Sequence, residues 1–283
     1  MDSLGVKMDY VSHLQSMAKK HNSILCFGLD PVLEKFPKSL KGSSKKKILE
    51  FYSDIIDSAE KNSFSALKPN YAYFAQYGFE GLEALHELIT SYKSKYTIIL
   101  DVKRGDISST ANAYAKEGYE FFKAHSLTLS PLMGKDSIEP YLPYFEKGKG
   151  AYLLCRTSNP GANDFLTQPQ SSPLYSHILS SGVNWHANMG FVVGATSPQD
   201  LSSILSMLPN ASKTPLLIPG VGSQGGSAAE TVSILKKYPS LLPLARINAS
   251  SSIAYAYKKT NSSDYVDAAH MAMAELNQFL KIY

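Results

Sequence analysis

The sequence predicts an α/β protein of the (β/α)8 TIM-barrel class. Three observations lead there. Eight short apolar runs recur along 283 residues, segments of three-to-four-residue apolar periodicity lie between them, and polar or glycine residues gather directly after the runs. Repeated strand then helix implies parallel strands joined by right-handed crossovers, and eight such units at this length suit a closed barrel. A doubly wound open sheet is the architectural alternative.

In chain order the expected strands are Ile24 to Leu29, Ala66 to Lys68, Thr97 to Asp101, Leu127 to Leu129, Ala151 to Cys155, Gly190 to Val193, Leu216 to Ile218 and Leu242 to Asn248. Short, nearly continuous apolar runs fit parallel strands buried on both faces. After the first strand, Ile48, Phe51, Tyr52, Ile55, Ile56 and Ala59 repeat at helical spacing; after the second, so do Leu82, Leu85, Leu88 and Ile89. No composition break or flexible linker divides the chain, so residues 1–283 are expected to form one domain. The stretch from Gln168 to Pro173, rich in Gln, Pro and Ser, is the expected mobile insertion.

With 44% hydrophobic and 18% charged residues, the chain can bury a full core. A formal charge of +4, with lysines scattered apart from Lys45, Lys46 and Lys47, argues against a nucleic-acid partner. Cys26 and Cys155 each sit in an apolar run, as a free thiol in a reduced cytoplasmic protein would. CxxC, HExxH and paired-His spacings are missing, so no dedicated metal site is expected. Neither a signal-length apolar segment at the start nor a membrane-length apolar window occurs.

A barrel collects its chemistry at the C-terminal ends of its strands. Strand one runs into Asp30 and Pro31, strand two into Lys68, Pro69 and Asn70, and strand three into Asp101, Lys103, Arg104 and Asp106. Strand alternation points Asp101 and Lys103 to the same face. Asp106 follows Gly105, where the chain can turn back on that lysine or outward to a second subunit. A D-x-K pair by itself reads first as a structural salt bridge at a strand end. Strand five exits into Arg156, Thr157, Ser158, Asn159, Pro160 and Gly161, whose hydroxyl and amide groups can read a polar heterocycle or cap an Asn-Pro-Gly turn. Strand seven exits into Pro219, Gly220, Val221, Gly222, Ser223, Gln224, Gly225 and Gly226 ahead of a helix expected from Ala228. That loop offers unblocked backbone amides for a phosphate, although the Walker GK[ST] does not follow.

These motifs together resemble one family, orotidine 5′-phosphate decarboxylase, in its longer type 2 subgroup of many bacteria and some protozoa. The likeness covers nearly the whole chain: CFGLDP from Cys26, ALKPNYAYF from Ala66, LDVKRGDI from Leu100, LCRTSNPGANDF from Leu153, FVVGAT from Phe191 and LIPGVGSQGG from Leu217. The resemblance implies a (β/α)8 barrel, a homodimer with shared active sites, and conversion of orotidine 5′-monophosphate to UMP and carbon dioxide without cofactor or metal. It implies Lys103 as proton donor to C6 of the pyrimidine, Asp101 beside the departing carboxylate and Asp106 serving the partner's site. Lys68 and Asp30 would hold the charge network and ribose hydroxyls, with Asn70 alongside, and Ile107 and Thr110 would line the ribose and interface. Thr157 and Ser158 would contact the pyrimidine, with Pro219 and Gln224 flanking the pyrimidine and phosphate. Such a reaction leaves charge on a carbon that cannot delocalise it well, so a fixed cation and then a proton are needed.

One position departs from the family pattern. After strand eight the family carries a phosphate-binding arginine, and the matching residue here is Ser251. Substrate binding is expected to be weakened by its loss. Arg246, five residues earlier, lies too far back along the strand to compensate. Two alternatives follow from the resemblance. A related DxKxxD sugar-phosphate lyase would place an acidic metal ligand after strand two, where this chain has Lys68; a catalytically impaired nucleotide-binding barrel would account for Ser251.

Overall fold

The computed structural model describes residues 8–209, 213–222 and 224–282. Eight parallel strands close in sequence order: β1 (Leu25–Leu29), β2 (Ala66–Pro69), β3 (Thr97–Arg104), β4 (Ser126–Leu129), β5 (Gly150–Arg156), β6 (Met189–Val193), β7 (Leu216–Ile218) and β8 (Ala245–Ala249). Closure pairs β1 with β8 through Leu25↔Ile247, Cys26↔Asn248 and Phe27↔Ala249. The open-sheet alternative is thereby excluded. The helices expected around Ile48 and Leu82 are Ser44–Asp57 and Gly78–Tyr92, each burying the periodic apolar face against the barrel.

Strand eight begins later than expected. Leu242–Leu244 forms a 3₁₀ turn with Pro243 inside it. Proline has no N–H for a strand ladder and its fixed φ suits a turn, so pairing starts only at Ala245. Strand three is longer than expected and reaches Arg104, with a register shift against β4 between Leu100 and Arg104. Within the 168–173 stretch the Ser172 N–H donates to the Pro169 carbonyl (2.9 Å), and the Leu174 N–H closes its end on the Gln168 carbonyl (3.0 Å).

The side-chain period of two separates floor from site. Cys26, Ala66, Ile99 and Tyr152 pack together inside the barrel. One inward step higher, Lys68, Asp101, Leu154 and Asn248 line an open cavity at the C-terminal rim. The helix Tyr10–His21, capped by the Asp9 carboxylate accepting from the Ser12 N–H (2.6 Å), plugs the opposite end. Its Tyr10 hydroxyl lies 2.8 Å from Ser126 Oγ and 2.9 Å from the Tyr152 hydroxyl. Arg246 is fully buried in this floor, donating to the Leu14, Pro243 and Ala245 carbonyls. It faces away from the rim, as its position along β8 requires.

The floor also carries a stacked pair, His13 and His125, with ring centroids 4.5 Å apart. His125 Nδ1 accepts the Ile98 N–H (2.9 Å), which demands the unprotonated nitrogen. Burial, helped by Arg246 and Lys149, pulls His13 down from 6.5 to about 4; burial beside His13 puts His125 well below its ordinary value. Both rings are neutral when folded, so below the ordinary histidine value the unfolded chain binds more protons. Stability is complete above that value and falls as pH drops toward 4. His13 alone contributes about 2–3 kcal/mol of this loss. Urea unfolding at pH 7 and pH 4.5 should show the drop, and His13→Gln should shrink it. A wild-type stability that is flat across that window would contradict the assignment.

Candidate active site

The rim cavity, about 620 Å³, is lined by residues from the ends of most strands, among them Asp30, Lys68, Asn70, Asp101, Lys103, Thr157, Ser158, Pro219, Gln224 and Ser251. Its centre is Asp101. Lys68 Nζ donates to Asp101 Oδ2 (2.9 Å), Lys103 Nζ to Oδ1 (2.6 Å) and Thr128 Oγ1 to Oδ1 (2.8 Å). Burial would raise the Asp101 pKa, but the two ammonium groups outweigh it and hold the carboxyl far below the usual carboxylate range. Burial would likewise lower Lys68, yet Asp101 and Asp30 together raise it. Both members of this pair are therefore charged.

The two lysines are not equivalent. The Lys68 side chain is 6% exposed and that of Lys103 51%, so one is locked behind the carboxylate while the other stands in the cavity. Lys103 adopts φ +48°, a left-handed conformation costing a β-unbranched residue of this kind roughly 1 kcal/mol or more. Its N–H is held by Thr128 Oγ1 (2.9 Å), at the point where β3 loses register with β4. Arg104 turns outward, stacks between Tyr71 and Tyr114 (4.7 and 4.3 Å to the ring centroids) and pairs with Glu117 (2.9 Å). Of the alternating charges, only Asp101 and Lys103 enter the cavity.

Asp106, Ile107 and Thr110 do not line it. The Asp106 carboxylate accepts the Ile107 N–H (2.8 Å) at the start of the helix Ser108–Lys116, so it does not fold back on Lys103. Ile107 and Thr110 are exposed on the outer rim.

The β7 loop is more closed than its glycine content suggests. Gly220, Gly222 and Gly225 take positive φ (97°, 81° and 90°). The N–H groups of Gly222, Gly225 and Gly226 donate to the carbonyls of Gly226, Gly222 and Gly220, so these amides are spent on the loop's own turns. The expected helix follows at Ala228–Leu235. Ser223 lies outside the described residues.

Several lining residues were not singled out from sequence: Thr128, Asn248, Tyr255 and Lys35. Thr128 and Asn248 carried a usable signal, each being a polar residue at an inward position of an apolar strand. Asn248 Oδ1 and Asp30 Oδ1 are buried acceptors without a donor among the described residues. Ordered water or a bound molecule would supply the missing donors.

Fold and site together define a (β/α)8-barrel enzyme with a lysine–carboxylate centre in an open cavity at its C-terminal rim. Residues 23–260 match the orotidine 5′-phosphate decarboxylase / HUMPS family, and the chain belongs to it. Among curated relatives, an orotidine 5′-phosphate decarboxylase of Delftia acidovorans is 41% identical over 284 residues, spanning 97% of this chain and 98% of that protein. Another, from Verminephrobacter eiseniae, is 45% identical over 234 residues, 80% of this chain and 83% of its own length. The solved Leishmania donovani OMP decarboxylase superposes with a TM-score of 0.76 at 30% identity, covering 96% of this chain and 98% of that one. Leishmania donovani UMP synthase matches with a TM-score of 0.78 at 31% identity, and there the chain spans only 56% of the longer protein.

Proposed function

We propose that this protein decarboxylates orotidine 5′-monophosphate to UMP and carbon dioxide, the last step of de novo pyrimidine nucleotide synthesis, with Lys103 as the proton donor. The observation that carries the reading is Asp101, held charged between a locked Lys68 and a half-exposed Lys103 at the cavity floor. In the reaction the C6–carboxylate bond breaks, its electron pair stays on C6, carbon dioxide departs, and Lys103 delivers a proton to C6. The ammonium stabilises the developing carbanion before it gives up that proton. Asp101 lies beside the departing group, although ground-state repulsion as a source of rate is contested.

The remaining roles follow the same reading. The unpartnered acceptor of Asp30, with Asn70 nearby, takes ribose hydroxyls; Thr157 and Ser158 address the pyrimidine; Pro219 and Gln224 flank base and phosphate. Binding at the phosphate end orients the reacting end. Asp106, Ile107 and Thr110 serve the neighbouring subunit of a homodimer. Ile107 (45% exposed), Leu132 (67%) and Met133 (55%) are exposed apolar residues on the loops after β3 and β4 that a second subunit would cover. Residues 1–283 act as one catalytic domain in this account. A cytoplasmic setting is consistent with Cys26 and Cys155, free and buried, their thiols pushed up to about 12 by burial.

The test is the loss of orotidine 5′-monophosphate absorbance with chelator present. Turnover independent of chelator is expected. No turnover at saturating substrate would sink the proposal, and dependence on added magnesium would favour the sugar-phosphate lyase.

A further inference from the structure

We propose that Lys35 supplies the phosphate-binding cation that Ser251 cannot, reaching the phosphate from the β1 loop across the barrel seam. The proposal rests on the reading of the substrate as a nucleoside monophosphate. Three lysines and two carboxylates line the cavity. Lys68 and Lys103 both engage Asp101, on the β2–β3 side. Lys35 is the one cation among the described lining residues that is not committed to that centre. Barrel closure sets the β1 loop against the loop after β8, so Lys35 shares one cavity with Ser250 and Ser251. Its Nζ lies 5.3 Å from the centroid of the Tyr255 ring, a residue of the β8 connection that also lines the cavity.

The position is built rather than incidental. The Tyr255 hydroxyl donates to the Asp30 carbonyl (2.9 Å) and accepts the Val32 N–H (2.9 Å), tying the two loops together. The Tyr257 hydroxyl donates to the Lys35 carbonyl, and the Leu33 N–H donates to the Tyr77 hydroxyl (3.0 Å). The next residue, Phe36, is buried and stacks on Phe51 at 4.2 Å. With the backbone so held, the ammonium resting on the tyrosine face can swing to an anion. The need for such a cation is sharpened by the β7 loop, which spends three glycine amides on itself. A lysine binds phosphate as a point charge without the bidentate fork of arginine. The site therefore keeps the charge of the family's arginine and gives up its directionality.

The experiment compares wild type, Lys35→Ala and Lys35→Arg on orotidine 5′-monophosphate and on orotidine, which has no phosphate, together with calorimetric affinities for UMP and uridine. For Lys35→Ala, kcat/KM on the nucleotide and affinity for UMP should fall about 10- to 100-fold, the value of one charge-assisted contact. Orotidine turnover and uridine affinity should not change, and Lys35→Arg should retain most of the wild-type preference for the phosphorylated ligand. Equal losses on phosphorylated and unphosphorylated ligands would overturn the proposal, since they would mean that Lys35 only supports Tyr255. Unchanged UMP affinity in Lys35→Ala would overturn it as well. Should the wild type bind UMP but fail to turn over the nucleotide, the decarboxylase reading falls, while the UMP-to-uridine ratio still decides the role of Lys35.

Discussion

Lys103→Ala is expected to lower kcat for orotidine 5′-monophosphate by about 10⁴-fold or more, with folding and UMP binding retained. Two contributions are lost together: a positioned general acid contributes roughly 10²–10⁴-fold, and a preorganised charge at the developing carbanion about 10²–10³-fold. Because the side chain is half exposed and Asp101 keeps Lys68 and Thr128, the fold should tolerate the change. Steady-state rates and an unfolding curve of the same preparation test both halves. A loss smaller than tenfold would remove Lys103 from the chemical step. Co-expressing Lys103→Ala with Asp106→Ala adds a test of shared sites. If Asp106 acts in the partner's cavity, mixed dimers hold one intact site, and roughly a quarter of wild-type activity should return. No recovery would place Asp106 outside catalysis or within its own chain's site.

Lys68→Met should produce the largest loss of stability. Removing one partner of a buried ion pair leaves the other charge uncompensated and costs about 3–5 kcal/mol. Asp101 would retain Lys103 and Thr128, so the cost should sit toward the lower end. The pH dependence supplies a second reading. Asp101 is held below its ordinary value when folded, so its contribution is complete above the ordinary carboxylate range and is lost as pH falls through the folded value. Without Lys68 the folded value moves back up, and the acid-side loss in the variant should shrink. Adding Asp101→Leu to Lys68→Met should recover part of the stability, since apolar replacement of a buried pair is often neutral or better, while activity stays absent. Urea unfolding at pH 7 and pH 2.5, the latter inside the window over which Asp101 loses its charge, measures all three proteins. A single-variant cost below about 1 kcal/mol would show that water reaches the pair and that it is not the locked centre described here.

Much of the architecture is legible in the sequence, because the signals are local. Short apolar runs spaced by helical periodicity imply parallel crossovers, and strand alternation already set Asp101 and Lys103 on one face. Hydrophobicity alone starts the last strand at Leu242, whereas the turn preference of Pro243 delays it to Ala245. The glycines of the β7 loop leave its amides unblocked by side chains, but their positive φ lets the loop close on itself. Side-chain composition cannot reveal how a loop spends its own backbone donors.

By itself the sequence determined the barrel, the rim on which the polar residues collect, and the presence of Asp101 and Lys103 on that rim. All of these follow from periodicity and from residue types within a few positions of one another. The tertiary structure decided which charges meet. It turned Lys103 back over Asp101 through a left-handed residue, sent Arg104 outward to Tyr71 and Tyr114, and kept Asp106 away from its own chain's cavity. It also buried Arg246 in the floor and brought Lys35 onto Tyr255, 220 positions further along the chain. That last encounter exists only because the barrel closes, pairing its first strand with its last, a contact that no local pattern of residues encodes.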